Sequence, residues 1–302
     1  MDRTTINIGP GMITWDGATI HVEDDIQLTM SPALFDVPTA AHGVVDRRRE
    51  DFTIEVTGTP TMWNDLAKLL PYASLEVGAS IYGATDKPLV IKPRTGLGWT
   101  LTNAAITKMP DITLTANRAP LGSMTWTGLL ANSGDPHDIA DYLATSAAGA
   151  LTGFDLTKVP TGLYTASWGA VLSAFHSEDG FAITFDMQTE DVKIPGRGTI
   201  DKILTGLSAS CKVVPVGPDQ QDILDVHGLT THIGQPGPKN DIVITGGRNG
   251  MPIVTLKNCI AQSSQGRTGR SAKRIGEMEF VTIRTATNGV IDPLWTIGTV
   301  GA

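Results

Sequence analysis

Residues 14–46 read TWDGATIHVEDDIQLTMSPALFDVPTAAHGVVD, and residues 167–201 read SWGAVLSAFHSEDGFAITFDMQTEDVKIPGRGTID. The two stretches share landmarks in the same order: a tryptophan, a His-x-Glu-Asp turn, an alternating apolar run, an Asp-Val pair, a glycine and an aspartate followed by a basic residue. The tryptophans lie 153 positions apart and the later landmarks 155. A shared offset over this length predicts a diverged tandem duplication.

The offset continues across most of the chain. Asn103 is matched by Asn258 at a distance of 155, and Gly122 by Gly276 at a distance of 154. A period this long exceeds the ~20–50 residues of a solenoid repeat and has the size of a domain. We expect residues 1–132 to form a first β domain with an N-terminal lead-in, 133–161 a linker with a short helix at 135–143, 162–286 a second β domain and 287–302 a C-terminal extension.

Apolar and polar residues alternate in several segments. In residues 26–30 and 52–57, every second side chain is apolar. A period of two is typical of half-buried antiparallel strands. Between these strands, residues 31–51 contain prolines and a charge cluster, and they are predicted to form a long loop. Residues 187–207 form the equivalent long segment of the second half.

A helix is predicted in each half. Residues 60–70 place apolar side chains at helical spacing, with Thr59 or Thr61 as the cap and Pro71 at the end. Residues 218–227 repeat this pattern. The predicted fold class is therefore mainly β, with two tandem homologous β-sandwich or barrel domains, each with one flanking α-helix.

The composition is that of a globular protein, with 41% apolar and 18% charged residues. No apolar segment near Met1 predicts a secretion signal, and no apolar run approaches the ~20 residues of a membrane helix. The net charge of −8 argues against a surface that grips nucleic acid. Cys211 and Cys259 both lie in the second half, which favours two reduced thiols over a shared disulfide framework.

The repeated His-x-Glu-Asp turn is the most enzyme-like feature, because imidazole beside carboxylate can bind a metal or transfer protons. It occurs at residues 21–24 and 176–179. Its spacing matches neither a helical zinc motif nor a calcium loop, so a polar turn entering a strand is the favoured interpretation. We expect no catalytic residue, metal or cofactor, and hence no enzyme.

Charged residues in the two long segments are candidates for contacts between subunits or between stacked rings. A solvated charged surface is the alternative interpretation. Guanidinium groups suit such contacts, because they form two-pronged bonds to carboxylates. The candidates are Asp46, Arg47, Arg48, Arg49, Glu50, Asp201 and Lys202.

Two copies of a mostly β domain, each with one helix, long loops and Thr-rich strands, resemble the major tail tube proteins of long-tailed bacteriophages, particularly those with a duplicated tube domain. The resemblance covers residues 14–286 and rests on domain layout rather than on a residue motif. It implies β-sandwich or barrel domains, six of which form a ring. Three duplicated chains would then complete one ring with pseudo-sixfold symmetry, and stacked rings would form a hollow tube for DNA.

The resemblance also implies a location and partners. The protein would assemble in the host cytoplasm into the virion tail and contact tape measure, terminator and baseplate proteins. DNA would pass without specific binding, so a neutral to acidic channel wall is expected. Glu55, Glu277 and Glu279 are the candidates for residues facing the lumen.

Three other functions remain open at this stage. A terminator or hub-like tail protein would form a single ring with the same fold. A carbohydrate- or receptor-binding β module would present exposed aromatic clusters. A β-barrel enzyme would hold a metal on the His-Glu-Asp turns.

Overall fold

The computed structural model describes residues 4–62, 65–85, 87–115, 121–129, 143–147, 150–152, 154, 162–170, 172–194, 198–216, 237–248, 251–264 and 277–300. Most of these residues lie in β-strands, and two large antiparallel sheets contain nearly all of the strands. The predicted mainly β fold is thereby confirmed. The strands are β1 (Thr4–Gly9), β2 (Gly11–Trp15), β3 (Ala18–His21), β4 (Ile26–Thr39), β5 (Gly43–Gly58), β6 (Lys87–Pro93), β7 (Leu97–Lys108), β8 (Ile112–Leu114), β9 (Met124–Gly128), β10 (Leu143–Ala147), β11 (Tyr164–Trp168), β12 (Leu172–Ile194), β13 (Gly198–Val216), β14 (Asn240–Gly246), β15 (Pro252–Ser264), β16 (Met278–Thr282), β17 (Ala286–Thr287), β18 (Val290–Ile291) and β19 (Trp295–Thr299). Two short helices are α1 (Leu66–Leu69) and α2 (Ile81–Thr85).

The two sheets pair their strands in the same order. The first contains the path β4-β5-β9-β7-β6-β2, and the second contains β12-β13-β16-β15-β14-β11. The register also corresponds: Leu28 pairs with Val56 in the first sheet, and Ile183 pairs with Cys211, 155 positions later, in the second. These correspondences support the hypothesis of a tandem duplication.

The two tryptophans of the opening stretch hold equivalent places. Trp15 is buried at the end of β2 and donates from Nε1 to the carbonyl of Ala104 at 3.0 Å. Trp168 is buried at the end of β11 and donates to the carbonyl of Cys259 at 3.3 Å. Each ring thus fills the core while its only polar atom is satisfied, which is the usual requirement for a buried indole.

The long loop predicted for residues 31–51 is wrong. Strands β4 and β5 pair along almost their full length and form one long hairpin that turns at residues 40–42. In the second half, β12 and β13 form the equivalent hairpin. The prediction took the prolines and charges as signs of a loop. Pro32 and Pro38 instead lie within β4, because proline is tolerated in the outer strand of a hairpin.

The predicted helices are much reduced in the described residues. The helix expected over 60–70 is the single turn α1, and Thr61 bonds through its hydroxyl to the carbonyl of His21 instead of capping it. Pro60 forms an isolated bridge with Val22, which keeps this part of the segment extended. Helix α2 was not predicted. The helix expected at 218–227 lies outside the described residues. So do residues 135–142 of the helix expected at 135–143, while Leu143 begins strand β10.

The linker and the tail both add a strand to a sheet. In the linker, β10 pairs with β7, so residues 143–147 are a strand rather than a flexible connection. In the tail, β19 pairs with β15 in the equivalent position. The tail strand therefore has a counterpart in β10, which joins the first sheet.

The halves are joined as well as similar. Strand β8 comes from the first half but pairs with β12 of the second sheet, while β1 occupies the equivalent edge of β4 in the first. Buried apolar side chains from both halves form one continuous cluster. Trp295 of the tail donates from Nε1 to the carbonyl of Leu70 at 3.2 Å and contacts the ring of Phe185 edge-on.

We predict that Trp295→Ala lowers the free energy of unfolding by about 3–5 kcal/mol, the usual cost of truncating a buried aromatic side chain. Chemical denaturation followed by tryptophan fluorescence measures this. Val290→Ala is the matched control, because Val290 is exposed in the same tail and its truncation should change stability by less than about 0.5 kcal/mol. Equal losses in the two variants would show that the tail does not stabilise the core.

Candidate assembly surface

The candidate charges form a repeated cross-strand pair within each hairpin. Arg47 on β5 donates from Nε to Asp36 on β4 at 2.7 Å, and both side chains are exposed. Lys202 on β13 bonds Asp191 on β12 at the equivalent register. Exposed pairs of this kind contribute only ~0–1 kcal/mol. The charged pair found in both halves therefore joins the two strands of its own hairpin and adds little to stability.

The other sequence-predicted contact residues differ in exposure. Asp46 and Arg48 are exposed and form a second salt bridge on β5 at 3.2 Å. Arg49 and Glu50 also lie on β5, but their side chains lie outside the described part of the structure. Asp201 is half-buried on β13. The candidates thus lie along two hairpins, and those of the second half are covered more than those of the first.

The predicted lumen residues are divided between the two halves of the chain. Glu55 is half-buried on β5 of the first sheet, whereas Glu279 is half-buried on β16 of the second. Glu279 lies 3.9 Å from Lys212, which neutralises its charge locally. Glu277 is exposed just before β16. The assignment of these three carboxylates to a channel wall stays a prediction.

Threonines, which the sequence analysis noted without assigning, line the outer face of the first sheet. Their hydroxyls meet across the strands in three pairs, at 2.8–3.3 Å. Leu28 and Val56 point to the core. Since successive side chains of a strand point to opposite faces, the neighbours of these two residues along their strands point away from the core. The result is a polar face that also carries Glu55, which pairs across the strands with the buried Thr29 and Thr127. The pairs are Thr5 with Thr29, Thr57 with Thr125, and Thr107 with Thr127.

The tip of the second hairpin docks on the side of the first. Asp51 on β5 accepts hydrogen bonds from the backbone N–H of Thr199 at 3.1 Å and from its hydroxyl at 2.7 Å. Lys193 places its ammonium 3.8 Å from the same carboxylate. Gly198 has a φ of +74° and packs so closely on Asp51 that a Cβ there would collide with it. Spacing alone gave no signal for this contact, because it joins residues about 150 positions apart.

The outer edge of the second hairpin is also covered by the first half. Leu204 on β13 receives a backbone bond from Gly78 at 2.7 Å and donates one to Ala79 at 3.0 Å. Ser80 donates from its hydroxyl to Asp201 at 2.7 Å. The segment 78–80 therefore acts as a short added strand, and it satisfies backbone groups that would otherwise remain open.

The tip of the first hairpin is exposed and partly apolar. Val44 is 53% exposed, and three neighbouring apolar side chains on the same hairpin are also open to solvent. Exposed clusters of large apolar side chains on one projecting element are typical of interaction sites. The other three are Leu34, Phe35 and Val45.

The enzyme-like turns do not form a site. His21 is buried, its Nε2 lies 3.0 Å from the carbonyl of Thr152, and its ring packs edge-on against Phe154. His176 is exposed on β12. Across the part of the chain that the structure describes, no three His, Cys, Asp or Glu side chains lie close enough together to hold a metal ion. Residues 266–274, with the sequence GRTGRSAKR, form a basic stretch that lies outside that part.

Burial dominates the chemistry of both thiols. It raises the pKa of Cys259 to about 12 and raises the pKa of Cys211 further. Thiolates are the nucleophilic and metal-binding form of cysteine. These side chains therefore act as small apolar residues of the core at neutral pH.

The comparisons with known proteins give no match: no protein-family model fits the chain, and no curated protein is similar to it. Among the described residues, no helix is long and apolar enough to cross a membrane. The candidate surface therefore rests on its own geometry.

We predict that Asp51→Ala lowers the free energy of unfolding by about 2 kcal/mol, because hydrogen bonds to a charged group contribute ~1.5–3 kcal/mol and the Thr199 donors lose their acceptor. Urea denaturation measures the loss. Asp36→Ala is the matched control, since it removes an exposed carboxylate of the same hairpin and should cost at most about 1 kcal/mol. A loss as small as that of the control would mean that the hairpins do not hold each other.

We also predict that stability falls at high pH through the buried thiols. The unfolded thiol ionises near its usual pKa of about 8.5, while the folded Cys259 keeps its proton up to about pH 12. Stability is therefore complete below about pH 8.5 and decreases as the pH rises towards 12. Against Cys259→Ala, wild type should lose about 1.4 kcal/mol more for each pH unit between pH 9 and 11. Parallel pH profiles in the two proteins would contradict this.

Proposed function

We propose that this chain is a structural protein whose copies assemble into rings and that the rings stack into the hollow tail tube of a long-tailed bacteriophage. The observation that carries the proposal is the docking of one long hairpin on the next half of the same chain. Two sheets with one strand order, joined through such a contact, supply a domain-to-domain interface that repeats when further copies are added.

Ring formation follows from the asymmetry of this contact. The tip of one hairpin meets the side of another, so the interface is head-to-tail rather than self-complementary. Head-to-tail interfaces close into rings when the rotation between units divides a full turn, and they form open helices when it does not. If each half occupies one of six positions, three chains complete the ring with pseudo-sixfold symmetry.

A channel for DNA requires a wall that does not retain phosphate. The chain has 31 acidic and 23 basic side chains, so its overall charge repels DNA weakly instead of binding it. The threonine-rich face of the first sheet carries Glu55, so it is polar and locally acidic. DNA would pass such a wall without specific contacts, and neither catalysis nor a cofactor is needed for this role.

The remaining partners and the location belong to the same proposal. The tube would meet tape measure protein inside and terminator and baseplate proteins at its ends. The protein would assemble in the host cytoplasm and remain in the virion tail.

We predict that purified full-length chain forms rings of three copies, with a mass of about 96 kDa, three times the 32.0 kDa of one chain. Native mass spectrometry measures the ring, and negative-stain microscopy shows whether rings stack. Isolated rings that never stack would favour a terminator or hub-like protein. Chains that stay monomeric at all concentrations would overturn the proposal, and a ring of six chains would overturn its pseudo-sixfold form.

A further inference from the structure

The open edge of β5 is the surface that the proposed function does not yet use. From Gly43 to Asp51, β5 pairs with β4 on one side, and no described strand pairs with it on the other. Strand β9 joins β5 only from Ile54 onwards. We call residues 43–51 of this strand the β5 edge. Open edges of long strands are templates for pairing with another chain, and proteins usually cover or block them.

The equivalent edge in the second hairpin is covered, and the two edges correspond residue by residue. The first hairpin has two register shifts, at Ala33/Leu34 and Val37/Pro38, and the second has shifts 155 positions later, at Gln188/Thr189 and Val192/Lys193, besides a third at Ser177/Phe181. This register makes Arg49 the equivalent of Leu204 and Asp46 the equivalent of Asp201. Leu204 uses both of its backbone groups to bind segment 78–80. The backbone of Arg49 therefore points outward in the same way.

Asp46 has the local geometry of its covered equivalent. Its Oδ1 accepts the backbone N–H of Arg47 at 2.8 Å, as Asp201 accepts that of Lys202 at 2.7 Å. Asp201 additionally accepts the hydroxyl of Ser80. The first hairpin thus presents a carboxylate that is already oriented for a donor from outside.

The two residues of the tip contact, Thr199 and Asp51, have equivalents of different chemistry in the opposite halves of the chain. In the second hairpin, Thr199 is buried against Asp51. The equivalent of Thr199 is Val44, which is exposed, and the equivalent of Asp51 is Gly206 on β13. A polar pair in the contact within the chain thus corresponds to an apolar residue and a glycine. Val44 and Gly206 both lack polar side-chain atoms, so burying one against the other would leave no polar side chain without a partner.

We propose that the β5 edge and Val44 of one chain dock on the second half of another copy of this chain, with Val44 against Gly206. The partner is a second copy because the covering surface for such a hairpin exists in this chain, on the first half, and the second half has the same sheet order. This contact rests on the proposed function and names the interface that would close its ring. In this contact a hairpin tip docks on the side of a hairpin in another chain, as the contact of Thr199 with Asp51 joins the two halves of one chain.

Cysteine cross-linking of full-length protein tests the contact. Val44→Cys and Gly206→Cys are prepared as separate variants, mixed at a concentration that supports assembly and treated with a short bismaleimide. The native thiols do not interfere, because Cys211 and Cys259 are buried. A Cβ at Gly206 approaches Oε1 of Gln188 to 3.2 Å and meets Cβ and Cδ of the same residue at 3.5 Å, which is ordinary contact, so the variant should fold.

The expected result is a covalent dimer in the mixture at least tenfold above the level in either variant alone. Val290→Cys mixed with Gly206→Cys is the matched control, because Val290 is also exposed (69%, against 53% for Val44) and has no place in the contact. A mixture at the level of this control overturns the proposal. Equally strong cross-linking of Val44→Cys with itself also overturns it, because two hairpins would then pair symmetrically.

Two further measurements make failure informative. Asp36→Cys combined with Arg47→Cys in one chain should cross-link without forming a dimer, which verifies the reagent on an exposed cross-strand pair. Microscopy of the same samples separates the two proposals. A cross-linked Val44–Gly206 contact without stacked rings overturns only the tail tube, and rings that form without this cross-link overturn only the contact.

Discussion

Unpaired backbone along the two long hairpins is the constraint on which the rest of the structure depends. A hairpin that projects beyond its sheet has an outer edge of N–H and C=O groups, which must bond to protein or water. On the second hairpin, segment 78–80 satisfies this edge and Asp51 holds the tip. The association of the two halves follows from this need as much as from burial of apolar side chains.

The two halves differ in which strand lies beside the first strand of each long hairpin. Strand β1 covers the edge of β4 in the first half, at the place where β8, from the other half, covers β12. Strand β1 pairs with β4 only from Ile26 to Met30, so the part of the first hairpin beyond Met30 has no described strand on either outer edge. The second hairpin is covered by segment 78–80, whereas no described segment covers the first in this way; this difference gives the chain a direction, which a head-to-tail assembly requires.

Sequence patterns predicted the strands near the core well, because alternation of apolar residues such as Leu28 and Val56 reports burial on one face. They failed beyond the core. At the hairpin tips both faces are exposed, so residues such as Val44 and Arg47 carry no period, and the prolines favoured a loop. The contact of Asp51 with Thr199 depends on how two distant hairpins meet, and only the fold shows this. The constant offset did carry information about it, because it identifies which residues occupy equivalent places.

Covalent connection explains why equivalent contacts within and between chains would differ in chemistry. Two halves of one chain meet at a high effective concentration, so a polar contact such as Asp51 with Thr199 suffices to fix their geometry. Separate chains lose translational and rotational freedom on association, and this cost must be offset by the contact itself. An exposed valine that becomes buried against a glycine contributes hydrophobic free energy without the desolvation of a carboxylate. On the proposed assembly, divergence of the two hairpin tips is therefore the expected consequence of joining two units in one chain.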